Sequence, residues 1–176
     1  YITNHSRKDG SLYPAETHLQ LSNTGQKIFI AMTQDITERL ILEGQINQLN
    51  KVIENGTTVV FKWRADDHWS VEVVSKNISL FGYTQQEFLS GERSYVSIIH
   101  PDDIDRVANE VGKFSESGIN TFQQEYRILT ATGEVRWTED NTTIIRDKNG
   151  AITHYQGTVA DISERKNFEE AIRSSA

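Results

Sequence analysis

Side chains able to do chemistry are scattered along this sequence, and only one group of them recurs. Adjacent acids occur at Asp66-Asp67 and Asp102-Asp103. A carboxylate pair serves acid–base catalysis or a divalent metal only when both groups converge on one atom. Neighbouring side chains diverge on a strand and stand about 100° apart on a helix, so these pairs read as a turn and a helix start. His100 stands before Pro101-Asp102-Asp103 with no second histidine, cysteine or carboxylate at ligand spacing. That favours a turn residue over a haem or metal ligand. His5, His18, His68 and His154 form no cluster, and no metal site is expected. The absence of cysteine excludes disulfides, thiolate catalysis, Cys-ligated zinc and cysteinyl–flavin photochemistry. With no nucleophile–base set and no phosphate loop, no catalytic residue is assigned and the chain does not read as an enzyme.

The recurring group is Asp35-Ile36-Thr37-Glu38-Arg39, repeated as Asp161-Ile162-Ser163-Glu164-Arg165. Each copy closes a β-like run, opens a helical one and follows two Gly-centred turns. Aspartate and glutamate three apart are spaced as N-cap and N3 of a capping box. A helix cap alone accounts for this pattern, since losing one costs about 1 kcal/mol. The same residues fasten a last strand to an exit helix, so sheet strain would be felt there first. Asp35, Thr37, Glu38, Arg39, Asp161, Ser163, Glu164 and Arg165 are therefore the candidate relay junction, with Arg39 and Arg165 free to pair with a nearby carboxylate.

The interval between the copies is about one compact domain plus a connector. Residues 1–38 read as the closing half of a first module, 39–54 as an amphipathic connector helix, 55–163 as a complete module, and 164–176 as an exit helix. The 176 residues carry a net charge of −7 with 24% charged and 36% hydrophobic residues. An acidic surface disfavours nucleic acid, and no apolar stretch reaches the roughly 20 residues of a membrane span. The expected location is cytoplasmic.

Residues 1–34 alternate as strands, with a hairpin at Asn23-Thr24-Gly25. After Asp35 the period changes, and Leu42, Ile46, Leu49 and Ile53 fall at spacings of four, three and four. They make either the inner stripe of an amphipathic helix or a dimer seam of about two heptads. Val59, Phe61 and Trp63 alternate in one strand; Trp69, Val71 and Val73 form a second across a turn at Asp66-Asp67. Short helical pieces follow, including a Thr84–Glu87 capping box. A longer helix runs from His100-Pro101 to Ser117-Gly118, with its stripe at Ile104, Val107, Val111 and Phe114. Strands at Thr121–Leu129, Glu134–Arg146 and Ile152–Ala160 complete the module. Adjacent strands joined by tight turns imply an α+β domain with one antiparallel sheet.

Five stretches in this order resemble the PAS domain with its C-terminal PAC segment. They are Ser79-Leu80-Phe81-Gly82-Tyr83-Thr84, Ile99-His100-Pro101-Asp102-Asp103, Glu125-Tyr126-Arg127-Ile128, Gly133-Glu134-Val135-Arg136-Trp137 and Asp161-Ile162-Ser163-Glu164-Arg165. They look like the subgroup whose long helix opens with His-Pro-Asp-Asp. The resemblance covers residues 50–165 fully and residues 1–39 as a PAC half.

The resemblance implies a five-stranded antiparallel sheet in the order 2-1-5-4-3, cupping helices on one face over a small cavity, with connecting and exit helices. It also implies a sensory or regulatory module, dimeric through its flanking helices, that relays the state of a ligand, cofactor or partner. The output domain, a histidine kinase or diguanylate cyclase, would lie in the same chain. The alternative is a ligand-free interaction and dimerisation spacer. Aromatic residues dominate the module, and a cavity would draw on the same rings as the core; Phe81, Phe88, Phe122, Tyr126 and Trp137 are the pocket candidates. Relatives that hold haem through a histidine carry it within the long helix, and Ile104–Phe114 contains none. A noncovalently held flavin or another small molecule is compatible with the sequence, and the cofactor stays unassigned.

Overall fold

The structure, a computed structural model, describes residues 1–23 and 27–175. Thr24 and Gly25 of the expected hairpin turn, and Ala176, lie outside the described residues. Two compact units are present, Tyr1–Lys51 and Val52–Ala176.

In the first unit, β1 (Ile2–Ser6), β2 (Leu12–Asn23) and β3 (Lys27–Asp35) form a three-stranded antiparallel sheet in that order. Few of its side chains are covered: Ala15, Thr17 and Ile36 are buried, whereas Leu19, Phe29 and Met32 face outward. Helix α1 (Thr37–Glu54) crosses the boundary between the units and buries none of its residues. Leu42, Ile46, Leu49 and Ile53 are all exposed within this chain, as are Ile41 and Val52 on the same helix.

The second unit is built on β4 (Thr58–Arg64), β5 (Val71–Val74), β6 (Thr121–Leu129), β7 (Val135–Arg146) and β8 (Ile152–Asp161). Every pairing is antiparallel and the order is β5-β4-β8-β7-β6, the expected 2-1-5-4-3. The 3₁₀ turns Lys76–Phe81 and Val96–Ile98 and the helices α2 (Gln85–Leu89) and α3 (Pro101–Glu116) pack on its inner face. Val59, Phe61 and Trp63 of β4 meet Val107 and Val111 of α3 and Tyr126 and Ile128 of β6 in one core. Burial of such side chains, each worth about 1.5–3 kcal/mol, is the main force holding helices to sheet.

Local signals explain the helix starts. Thr84 and Glu87 form a reciprocal capping box at α2. At α3, Pro101 occupies the first turn and His100 is the N-cap, its Nδ1 accepting the Asp102 N–H at 3.3 Å. Asp103 turns inward and holds Arg127 of β6 through its Nε, Nη2 and backbone N–H, at 3.1, 2.7 and 2.8 Å. Trp69 departs from the expectation of a strand residue. Strand β5 begins only at Val71, and Trp69 sits in the preceding turn at φ +47°. That left-handed conformation is strained for a bulky residue.

Candidate functional site

Strand alternation decides which residues of the sheet face the helices. On β7 the buried positions are Thr138, Asp140, Thr142 and Ile144, with Trp137, Glu139, Asn141 and Thr143 on the other face. Asp140 thus enters the core beside Tyr126 of the neighbouring strand. Tyr126 Oη donates to Asp140 Oδ2 at 2.6 Å, and Thr142 Oγ1 donates to Asp140 Oδ1 at 2.6 Å. The Tyr95 hydroxyl joins Tyr126 Oη at 2.8 Å. All four side chains are buried.

This chain of hydroxyls ends at a carboxyl group with no counter-charge. Burial pushes Asp140 up to about 6, while the hydrogen bonds from Thr142 and Tyr126 pull it the other way. Burial, and then the Asp140 charge, lift the Tyr95 and Tyr126 phenols well above their ordinary range. Buried networks are stable only when satisfied, and this one is satisfied by neutral donors alone.

The network borders a cavity of about 30 Å³, room for one or two waters. Trp63, Trp69, Tyr95, Phe122, Tyr126 and Tyr155 supply aromatic walls; Val107 and Val111 of α3 close one side, and Gln124, Asp140 and Thr142 are the remaining lining residues. Trp63 stacks on Phe61 at 5.2 Å and meets Tyr95 edge-on at 5.1 Å. Its Nε1–H is buried without a partner. The strained Trp69 packs against the core from the β4–β5 turn.

Of the expected pocket residues, the structure brings Phe122 and Tyr126 to the cavity. Phe81 and Phe88 are buried elsewhere in the core, Phe88 meeting Phe61 and Tyr83 edge-on. Trp137 does not line the cavity, because its strand phase turns it to the outer face. There its ring meets two cations, the Arg127 guanidinium 5.7 Å from the centroid and Lys166 Nζ at 5.1 Å. Asp140, Tyr95, Trp63 and Trp69 were not among the pocket candidates. An acid in phase with buried threonines on a central strand is the sequence signal that marks Asp140.

The two repeated junctions share one geometry, and it is not the expected capping box. Asp35 Oδ1 accepts the Thr37 N–H at 2.9 Å, and Asp161 Oδ1 accepts the Ser163 N–H at 2.8 Å. Each aspartate therefore bonds two residues on, as in an Asx turn, and not three. Neither Glu38 nor Glu164 is bonded back to its aspartate's N–H; the short route to a Thr or Ser amide wins. Each aspartate also takes an arginine: Arg7 to Asp35 at 2.5 Å and Arg136 to Asp161 at 3.1 Å. The intervening isoleucine is buried and bonds the adjacent strand, Ile36 N–H to Pro14 O at 3.0 Å and Ile162 N–H to Trp137 O at 2.8 Å. Arg39 reaches Glu16 at 3.0 Å; Arg165 reaches Glu125 at 2.6 Å and Glu139 at 3.1 Å.

In the second unit the junction clamps α4 (Ser163–Ser174) onto the sheet. The Trp137 N–H donates to Ser163 Oγ at 2.9 Å, and Lys166 pairs with Glu125. By strand register Thr17 of the first unit stands where Asp140 stands in the second, so the buried acid belongs to one copy alone. Among the described residues, no cluster of His, Cys, Asp and Glu suits a metal, and no helix is long and apolar enough to cross a membrane.

A family model described as the PAS fold matches residues 71–159. The methyl sulfide methyltransferase-associated sensor of Methanosarcina acetivorans is 48% identical over 128 residues, 73% of this chain and 13% of that protein. The match thus spans a small part of its relative. Among solved structures, the N-terminal domain of a diguanylate cyclase with PAS/PAC sensor from Marinobacter aquaeolei superposes with TM-score 0.53 and 25% identity, covering 62% of this chain and 98% of that one. A sensory box histidine kinase/response regulator from Burkholderia thailandensis gives TM-score 0.58 at 23% identity, covering 73% and 94%. The family model takes in Tyr95, Tyr126, Asp140 and Thr142 of the cavity and leaves Trp63 and Trp69 outside it, and the chain belongs to the PAS fold family.

Proposed function

We propose that this chain is a sensory module whose cavity state is carried along β7 to α4, and from there to an output domain of the parent protein. One observation carries the reading: β7 places Asp140 and Thr142 in the cavity and Trp137 against the start of α4. A change of charge or occupancy at Asp140 then acts on the strand that anchors the exit helix. The relatives are sensors, a histidine kinase and a diguanylate cyclase by name, which supports an output of one of those two classes. Catalysis belongs to that output domain, and this chain regulates it. The exposed seam Leu42, Ile46, Leu49 and Ile53 suits a homodimer formed along α1.

A second reading, a ligand-free interaction and dimerisation spacer, draws support from the cavity's size. At about 30 Å³ it is well below the roughly 300 Å³ at which drug-sized ligand pockets begin. The two readings separate in the parent protein carrying its output domain. Trp137→Ala leaves the cavity lining intact and is expected to change the output's response to stimulus; an unchanged response leaves the spacer reading standing.

A further inference from the structure

We propose that the Asp140 cavity binds a small organic ammonium ion of the size of methylammonium; this deepens the sensory reading and rests on it. Six aromatic residues and one carboxylate line the space, and no lysine, arginine or histidine does. Aromatic faces carry partial negative charge and attract cations. The carboxylate is buried and its partners, Tyr126 and Thr142, are neutral donors. Ionising it there leaves a charge without compensation, which a bound cation supplies.

The groups around the carboxylate are accounted for on every side. Tyr126 and Gln124 come from β6, Tyr95 from the segment before α3, and Tyr155 from β8. Glu110 of α3 reaches the site only through Gln124 Nε2, at 2.8 Å. A single inward carboxylate suits one positive charge, and a divalent metal would ask for more oxygen ligands than these. Size sets the rest of the ligand: about 30 Å³ takes two water-sized groups, which the methyl and ammonium groups of methylammonium fill.

Ammonium binding needs the ionised carboxylate, so affinity rises as pH climbs through the Asp140 titration and is lost below it.

Titration with methylammonium chloride at pH 7.5, against sodium chloride at equal ionic strength, tests the proposal. The readout is tryptophan fluorescence, since Trp63 and Trp69 both line the cavity. A saturable change with methylammonium alone is expected, weakened about tenfold or more in Asp140→Asn and in the wild type at pH 5. Trp69→Asn, whose side chain tolerates a left-handed backbone, keeps the carboxylate and loses one ring; it is expected to bind several-fold more weakly. Methylammonium and sodium acting alike, an undiminished response in a folded Asp140→Asn, or no saturable response at all would overturn the proposal. If binding fails while α4 still responds to Asp140→Asn in amide exchange, the sensory reading survives and the ammonium assignment does not. If both fail, the sensory reading goes with it.

Discussion

Asp140 and Trp137 stand three residues apart on β7 and face opposite sides of the sheet. One ends the buried hydroxyl chain from Tyr95 and Tyr126; the other meets Arg127 and Lys166 at the root of α4. Because side chains alternate along a strand, a single short segment touches both the cavity and the exit helix.

The Asp140 titration gives the folded protein a distinctive pH dependence. Its carboxyl moves from 3.8 to about 6 on folding, so between those values the folded state holds the extra proton. Stability from this group is therefore full below about pH 4 and declines by up to about 3 kcal/mol as pH rises through 6. Asp140→Asn should remove that decline. Urea midpoints at pH 4.5 and 7.5 check it: the variant's advantage is expected to grow with pH, and a pH-independent difference contradicts the shift.

Trp69 reports on backbone strain. At φ +47° a β-branched replacement is disfavoured and asparagine is tolerated. Trp69→Asn is expected to be more stable than Trp69→Val by about 1–2 kcal/mol, against the hydrophobic order. Chemical denaturation of the two variants decides this.

Gly157 lets β8 approach β7 at the cavity's edge. A Cβ added there would lie 2.1 Å from the Asn141 carbonyl oxygen and 2.9 Å from Thr142 Cα. Both are backbone atoms, so the strands must part. Gly157→Ala is expected to cost about 1–3 kcal/mol and to speed amide exchange along the β7–β8 ladder.

At the root of α4, ring and charge should separate. Arg165 is half-exposed and its ion pairs are screened, so Arg165→Gln is expected to cost less than about 1 kcal/mol in denaturation. Trp137→Ala removes the ring beneath Lys166 and should speed exchange of the α4 amides more than Arg165→Gln does.

The sheet was legible because its signals are local and agree: alternation, Gly-centred turns, and the order of the five motifs. The Thr84–Glu87 box was legible for the same reason. The site was less so. On β7 neither face reads as clearly apolar, and Trp137 marks the outer phase as hydrophobic while the buried phase is Thr138, Asp140 and Thr142. Aromatic content on this strand therefore points to Trp137 and not to Asp140. At the junctions the Asp–Glu spacing of three predicts a capping box, whereas Thr37 and Ser163 compete for the aspartate at two. At Trp69 the Asp66 carboxylate gathers the His68 and Ser70 N–H groups into a local turn, but a tryptophan is not a residue that signals its left-handed backbone.

The central claim, that the state of Asp140 reaches α4 through β7, is tested most directly by amide hydrogen exchange on this chain at pH 7.5. The amides to follow are Ile162 and Lys166, bonded to Trp137 O and Ile162 O. Asp140→Asn is expected to change their protection several-fold while leaving β1–β2 amides unaltered, and Trp137→Ala is expected to abolish the difference. Identical protection of the α4 root in wild type and Asp140→Asn would contradict the account.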